Sequence, residues 1–112
     1  MAIVTTAEYD YRFKVDLDPD GQDDRLPDIE NGLNEAQAIV ADYLKSGWDE
    51  DWDESTIPLG VKSSILLVAN ALLDGGDRGD AILAGLAEND PKNPVAGMLK
   101  RLRDPARAYI GV

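Results

Sequence analysis

The longest apolar stretch of the chain lies between Pro58 and Gly76 and has the periodicity of a helix. Proline is tolerated in a first helical turn, and glycine readily takes the left-handed conformation that ends a helix. Apolar residues recur at helical spacing, at positions 61, 65, 68, 69 and 72. Because Leu66, Leu67 and Leu73 lie off this stripe, the helix is apolar on nearly every side. Such a helix is buried all round, within its own domain or against another chain.

Two helical patterns precede this segment. Thr5 and Glu8 have the spacing of a capping box, in which each side chain accepts a hydrogen bond from the other's backbone, and they predict a short helix over about 6–15. A second helix is predicted over about 24–46, with Pro27 in its first turn. Gly32 weakens its middle by about 1 kcal/mol relative to alanine, so we expect a neighbour to approach closely there. Gly47 is the expected cap.

Two shorter helices are predicted after the central segment. Asp77 is a candidate cap for a helix over 79–88, and Asn93 followed by Pro94 begins another that ends near Arg103. Residues 104–112 are too short to fold alone, so they form either a frayed terminus or an arm that orders on a partner. The pattern predicts an all-α fold, in which residues 1–103 form one small bundle of four to five helices and residues 104–112 an extended C-terminal arm.

The composition is that of a small folded domain. Hydrophobic residues make up 44% and charged residues 29% of the 112 positions, proportions typical of globular proteins. The absence of cysteine excludes disulfides, and the absence of histidine removes the commonest metal ligand and general base. With neither a signal peptide nor an apolar run long enough for a membrane helix, we expect a soluble intracellular protein with no membrane partner.

Negative charge is concentrated in the first half of the chain. The net charge is −11; residues 1–56 carry 16 acids and 4 bases (−12), and residues 57–112 carry 6 acids and 7 bases (+1). This distribution argues against binding of nucleic acid through its phosphates, which requires clustered lysine and arginine. The simplest interpretation is a solvated surface that keeps the protein soluble.

One acidic segment resembles the start of a calcium-binding loop. Residues 16–24 place carboxylates at alternate positions before a glycine, as such loops do. The match then fails, because the eighth position is Asp23 and the twelfth, which requires a bidentate glutamate, is Pro27. An acidic turn whose carboxylates cap the following helix is therefore favoured over a cation site.

Another acidic segment contains both tryptophans of the chain. Trp48 and Trp52 lie four residues apart among five acids. If buried they cover the open end of the core, which is the favoured interpretation; if exposed they are anchors for a protein partner. Stacking on single-stranded nucleic acid is disfavoured because it requires a basic groove beside the rings.

The sequence carries no motif with a catalytic or cofactor-binding mechanism. It has no Gly-rich phosphate loop, nucleophile elbow, zinc-ligand spacing or dinucleotide fingerprint. With 22 acids in the chain, carboxylate pairs arise by chance, so a paired-carboxylate hydrolase is disfavoured. The residues alone predict a non-enzymatic, acidic assembly module without metal or cofactor.

The order of these segments resembles that of the head–tail connector proteins (adaptor or head-completion proteins) of long-tailed bacteriophages. The resemblance covers roughly residues 5–105, and the order and spacing of its motifs carry it more than any single motif. These motifs are residues 13–18 with the following Asp23-Asp24, the Ala/Tyr-rich turn over 36–44, the helix opening over 57–62 and the closing segment over 98–105.

This resemblance implies a structural virion protein, made in the host cytoplasm and located in the neck. About a dozen copies would form a ring beneath the portal, continue the DNA channel and contact the tail or a further completion protein. Candidate ring contacts are Leu66, Leu67, Leu73, Trp48 and Trp52. Acids that line the channel and repel passing DNA would be Asp16, Asp18, Asp20, Asp23, Asp49, Asp51 and Asp53. A portal-binding arm would use Arg101, Arg103, Arg107, Tyr109 and Ile110.

A function of a different class fits the same residues. A small acidic regulatory or inhibitory protein can mimic nucleic acid and block the basic surface of its partner. Such a protein would be a monomer or dimer rather than a ring.

Overall fold

The computed structural model describes residues 3–17, 23–87 and 92–103, and all regular structure within them is helical. The helices are α1 (Thr6–Phe13), α2 (Leu26–Leu44), α3 (Leu59–Asp74), α4 (Gly76–Ala87) and α5 (Pro94–Arg103), and a 3-10 turn over Lys45–Gly47 follows α2. The predicted small all-α bundle is confirmed. Residues 104–112, predicted to form the arm, lie outside the described residues.

Helix α3 is the centre of the bundle, as its apolar pattern predicts. It packs against α2, α4 and α5. Val61, Ile65 and Val68 are completely buried. Pro58 precedes the first turn, and Gly75 ends the helix with a φ of 66°, a conformation that glycine takes without steric cost. The buried Ser64 donates its hydroxyl hydrogen to the Gly60 carbonyl at 2.7 Å, which satisfies it inside the helix.

Local capping sets the position of α1. The predicted capping box is present: the Glu8 N–H donates to Thr5 Oγ1 at 3.1 Å, and the Thr5 N–H donates to Glu8 Oε1 at 3.3 Å. The helix ends at Phe13, two residues before the predicted Val15, because Lys14 takes a left-handed φ of 52°. This early end turns the following residues towards α2, where Arg25 binds the carbonyls of Val15 and Asp16 at 2.9 and 3.0 Å.

The end of α2 differs from the prediction. Gly47 does not cap the helix, because the chain leaves helical geometry at Lys45, where φ is 54° and the N–H donates to the Ala41 carbonyl. At the N-terminal end of α2, the predicted capping by aspartate side chains is also wrong. Arg25 occupies the N-cap position without a side-chain cap, although Asp28 lies in the first turn, where it complements the helix dipole.

The last two helices pack as a pair against α3. Helix α4 begins at Gly76, three residues earlier than predicted, so that Asp77 lies in its first turn instead of capping it. The predicted cap of α5 is confirmed: Asn93 Oδ1 accepts from the N–H groups of Val95 and Ala96 at 3.0 and 3.1 Å. In the part of the chain that the structure describes, no helix combines the length and apolarity needed to cross a membrane.

Candidate interaction site

Two large apolar side chains protrude from one side of the bundle. Tyr11 on α1 is 89% exposed and Leu59, the first residue of α3, is 77% exposed. Both line a shallow groove of about 400 Å³ between α1 and α3, together with Ala7 and Arg12, and the buried Leu66 lies at the same groove. We call this surface, defined by Tyr11, Arg12 and Leu59, the Tyr11–Leu59 patch.

The direction of Tyr11 follows from the geometry of α1. Tyr9 and Phe13 lie one turn apart with ring centroids 4.8 Å apart, and Tyr9 is buried in the core. Tyr11 follows Tyr9 by two residues, about 200° around the helix, so it faces solvent. The packing of Tyr9 and Phe13 against the bundle thus holds Tyr11 outward.

An ion pair joins the two helices at the edge of this patch. Lys62 Nζ on α3 lies 2.8 Å from Glu8 Oε2 on α1, and both side chains are partly buried. Burial opposes ionisation of Glu8, but the hydrogen bond from Lys62, the bonds from Thr5 and the lysine charge outweigh it and lower the pKa of Glu8. Each of these two charges is therefore balanced by the other.

A second surface is concave and lies beside the inward-facing side of α1. Two adjoining hollows of about 580 and 280 Å³ share Phe13, Asn70 and Asp74. The Asn70 amide donates to the Tyr9 hydroxyl at 3.2 Å, and this hydrogen bond fixes the orientation of the Asn70 side chain. Apolar side chains cover much of the remaining wall: Val15, Ile29, Leu67, Leu73 and Ile82. We call this surface the Phe13 cleft.

The rim of the Phe13 cleft is acidic. Asp28 on α2 and Asp74 at the end of α3 are exposed on it, and no ion pair of either carboxylate is found among the described residues. Among the described residues that line this hollow the cation is Arg25, which is engaged with Asp23 at 2.7 Å and with two backbone carbonyls. An apolar wall with two available carboxylates suits an apolar segment that carries a positive charge.

The structure separates the three leucines predicted to meet a neighbouring subunit. Leu67 and Leu73 both line the Phe13 cleft, and Leu73 is 37% exposed. Leu66 is only 5% exposed and belongs to the core of the chain itself, so it has little surface left for a neighbour. The periodicity placed all three off the main stripe but could not show which of them another helix covers.

The two tryptophans lie half-buried against the core. Their rings meet edge to face with centroids 5.1 Å apart, and both pack against the buried cluster. This placement supports the interpretation of Trp48 and Trp52 as a cover for the core. Their partial exposure leaves their predicted role as partner contacts untested.

Several of the predicted channel acids are engaged within the chain, and Asp49 Oδ1 accepts from the Asp51 N–H at 2.9 Å. Asp49, Asp51 and Asp53 are all exposed. Asp53 also caps its own turn, because its Oδ1 accepts from the N–H groups of Ser55 and Thr56 at 2.8 and 3.0 Å. The bond from the Ser55 hydroxyl, followed by these backbone bonds and the bond from the Thr56 hydroxyl, lowers the pKa of Asp53. Asp23 is paired with Arg25.

The segment that resembles a calcium loop is only partly within the described residues. Asp16 is exposed and its N–H donates to Asp10 Oδ1 at 2.8 Å, while Asp18 and Asp20 lie outside the described residues. Within the described ranges no three acidic residues are grouped to hold a metal ion. Arg25 holds the two described ends of this segment together through Asp23 and the carbonyls of residues 15 and 16.

The predicted arm residues are placed only in part. Arg101 and Arg103 belong to the last turn of α5. Their side chains, and Arg107, Tyr109 and Ile110, lie outside what the structure describes.

Sequence reasoning did not identify the Tyr11–Leu59 patch. Its only local signal is that each residue lies off the inward stripe of its own helix, and many exposed residues share that property. What distinguishes the patch is that α1 and α3 bring these two large side chains to one groove. No known protein family, curated protein or solved structure was found to match this chain.

Proposed function

We propose that this chain is a ring-forming subunit of the neck of a long-tailed bacteriophage, where it joins the DNA-filled head to the tail. The observation that carries the proposal is that a bundle with a complete core of its own still presents two distinct apolar surfaces, the Tyr11–Leu59 patch and the Phe13 cleft. A subunit of a ring contacts two neighbours through two different surfaces, whereas a two-fold dimer uses one surface twice.

The sequence supports the same proposal. The resemblance to head–tail connector proteins implies a small all-α subunit, and the bundle has that architecture. In this role the ring binds the portal protein on one side and the tail or a further completion protein on the other. DNA passes through it without specific binding, and no catalytic step is involved.

The surface charge suits a protein that lets DNA slide past. The net charge is −11, and the carboxylates of residues 49, 50, 51, 53 and 54 are all exposed. Such a surface repels phosphates, whereas a DNA-binding protein neutralises them with lysine and arginine. The proposal places these acids on the channel side of the ring, and their position on its outer side would contradict that part of it.

The portal protein of the same phage provides the direct test. The chain, the portal and their mixture are compared by size-exclusion chromatography with light scattering and by negative-stain imaging. We expect the chain to join the portal peak with many copies per portal and to add a ring below it. A chain that elutes apart from an intact portal at every concentration tested would contradict the proposal.

Substitution of Leu67 tests whether the Phe13 cleft takes part in this assembly. It is half-buried in the wall of the Phe13 cleft, so L67E is expected to reduce assembly on the portal more than it reduces the melting temperature. A38E, an exposed position on α2, is the matched control and should change neither. Equal loss of assembly and folding for L67E would mean that Leu67 is ordinary core.

The exposed acids also favour one alternative, a regulatory protein that mimics nucleic acid. Such a mimic would displace duplex DNA from a basic protein that binds DNA without sequence preference. A ring subunit would leave that complex intact at matched ionic strength, and fluorescence anisotropy of labelled DNA distinguishes the two functions.

A further inference from the structure

We propose that copies of this chain associate head to tail, with the Tyr11–Leu59 patch of one copy seated in the Phe13 cleft of the next. The inference rests on the proposed function in that both require self-association, but it goes further by naming the surfaces. The occupant of the cleft is a second copy of this chain.

The shapes of the two surfaces are complementary. Tyr11 and Leu59 are 89% and 77% exposed, so they stand out from the bundle instead of packing against it. The Phe13 cleft is hollow and has an aromatic and aliphatic wall. A tyrosine and a leucine that enter such a hollow bury apolar area on both sides, and aromatic anchors in pockets dominate the energetics of protein interfaces.

The charges are complementary too. Arg12 is exposed on the Tyr11–Leu59 patch, where its guanidinium lies 5.8 Å from the centre of the Phe13 ring and, among the described residues, forms no ion pair. Asp28 and Asp74 are exposed on the rim of the cleft. The other charges on these two surfaces already have partners within the chain, since Glu8 pairs with Lys62, and Arg25 pairs with Asp23. Among the described residues the patch therefore offers a cation and the cleft two anions that form no ion pair, which favours contact of patch with cleft over patch with patch or cleft with cleft.

The two surfaces adjoin at α1, where Arg12 lies 5.8 Å from the centre of the Phe13 ring, but their far ends on α3 are well separated. Leu59 and Leu73 are at opposite ends of α3, about 21 Å apart along its axis, and Tyr11 and Phe13 lie on opposite sides of α1. One copy can therefore insert its patch into one neighbour while its cleft receives another. Repeated contacts between unlike surfaces close into a ring when the rotation between copies allows it.

Disulfide trapping tests this contact directly, because the chain contains no cysteine of its own. Two full-length variants, L59C and L73C, are purified separately, one carrying a mass tag, and are mixed in equal amounts under mild oxidation. We expect the mixed L59C–L73C dimer to exceed both homodimers by on the order of tenfold, because contact raises the effective concentration of that pair alone.

The matched control is A38C, which places a thiol on the exposed face of α2. Disulfide dimers of A38C with L59C or with L73C should form only as often as random collision allows. A dominant L59C homodimer would overturn the inference in favour of a two-fold contact. A mixed dimer no more frequent than the A38C pairs would overturn it outright. Circular dichroism checks that each variant is folded, and V15C in the cleft wall replaces L73C if L73C is not folded.

A charge exchange shows whether the predicted partners meet. R12D in the L59C copy is expected to reduce trapping several-fold, and D74K in the L73C copy should restore it. Reduction without rescue would mean that Arg12 does not face this carboxylate. If trapping fails while the wild-type chain still joins the portal, the surfaces are wrong and the proposed function stands. If trapping succeeds and the chain does not bind the portal, the contact surfaces are right and the proposed function is wrong.

Discussion

Gly79 lies where α4 passes close to α3, and a side chain there has no room. A Cβ atom at this position would lie 2.7 Å from the Ala71 carbonyl oxygen, which belongs to the helix backbone and cannot rotate away. We expect G79A to lower the free energy of unfolding by about 1–3 kcal/mol, the usual cost of overpacking. Urea denaturation measures the change.

Gly60 is the matched control for this substitution. It lies in the first turn of α3, and a Cβ there meets nothing within 4 Å. G60A should therefore raise stability by up to about 1 kcal/mol, because alanine has the higher helix propensity. Equal effects of the two substitutions would show that α3 and α4 are not closely packed at Gly79.

Gly32 shows what a residue pattern reveals and what it leaves open. A glycine in the middle of a long helix predicts a close neighbour, and a Cβ at Gly32 would indeed lie 2.9 Å from Leu73. The sequence could not identify that neighbour, because the contact depends on how α2 and α3 are aligned. Nor could it show that the neighbour is a partly exposed side chain rather than backbone.

The ion pair between Glu8 and Lys62 gives a prediction for pH. Because the pKa of Glu8 is lower in the folded chain than its ordinary value of 4.5, its contribution to stability is complete well above pH 4.5 and is lost as the pH falls through the folded pKa. E8Q keeps a capping residue for Thr5 but removes the charge. We expect E8Q to be about 0.5–1 kcal/mol less stable near pH 7.

The difference in the free energy of unfolding between wild type and E8Q should shrink as the pH falls below 4.5 and disappear once the pH lies below the lowered pKa of Glu8 in the folded chain. Urea denaturation at several pH values measures it, and comparing two variants at each pH cancels the titration of the other acids. A difference that stays constant across this range would show that Glu8 acts through packing or capping and not through its charge.

At the scale of helices, Asn93 joins two neighbouring elements. Its Oδ1 caps α5, and its Nδ2 donates to the Ile82 carbonyl of α4 at 2.8 Å, while the residue is only 7% exposed. N93A removes the cap and leaves buried backbone groups without partners, so we expect a loss of about 2–3 kcal/mol. Thermal and urea denaturation both report it.

N93D separates the two roles of this side chain. Aspartate keeps an acceptor for the cap but replaces the donor towards Ile82 with a carboxylate oxygen that faces a carbonyl. We expect N93D to retain the helical signal of α5 and still lose stability relative to wild type. Wild-type stability of N93D would mean that the bond to α4 contributes nothing.

Several helix boundaries were predictable because their determinant is local. The capping box of α1, the first-turn proline of α2, the glycine that ends α3 and the asparagine that starts α5 all depend on neighbouring residues. The errors occurred where tertiary structure decides. Lys45 takes a positive φ that the sequence does not signal, and α4 begins directly after Gly75 because α4 turns back against α3.

At the scale of the molecule, the candidate interaction site was only half predictable. The surplus of apolar residues in α3 indicated a surface for a partner, and Leu67 and Leu73 do line the Phe13 cleft. The sequence could not place Tyr11 beside Leu59, since 48 positions separate them and only the packing of α1 on α3 unites them. Surfaces assembled from distant segments require the fold.

The net charge of −11 is also a property of the whole molecule. Like charges repel one another in the compact state more than in the unfolded chain, and salt at 0.1 M screens the repulsion between exposed charges that lie more than about 10 Å apart. We expect the melting temperature to rise by roughly 4 °C between 0.02 and 0.5 M NaCl, equivalent to about 1 kcal/mol for a chain of this size.

Removing exposed acids after α2 tests whether their mutual repulsion causes the salt dependence of the melting temperature. E50Q/D51N/E54Q removes three exposed charges and spares Asp53, which caps its turn. This variant should melt higher than wild type at low salt and respond less to added NaCl, because it has less repulsion to screen. A wild-type melting temperature that falls with salt would show instead that ion pairs such as Glu8–Lys62 outweigh the repulsion. Differential scanning calorimetry of both proteins across the same salt series distinguishes these outcomes.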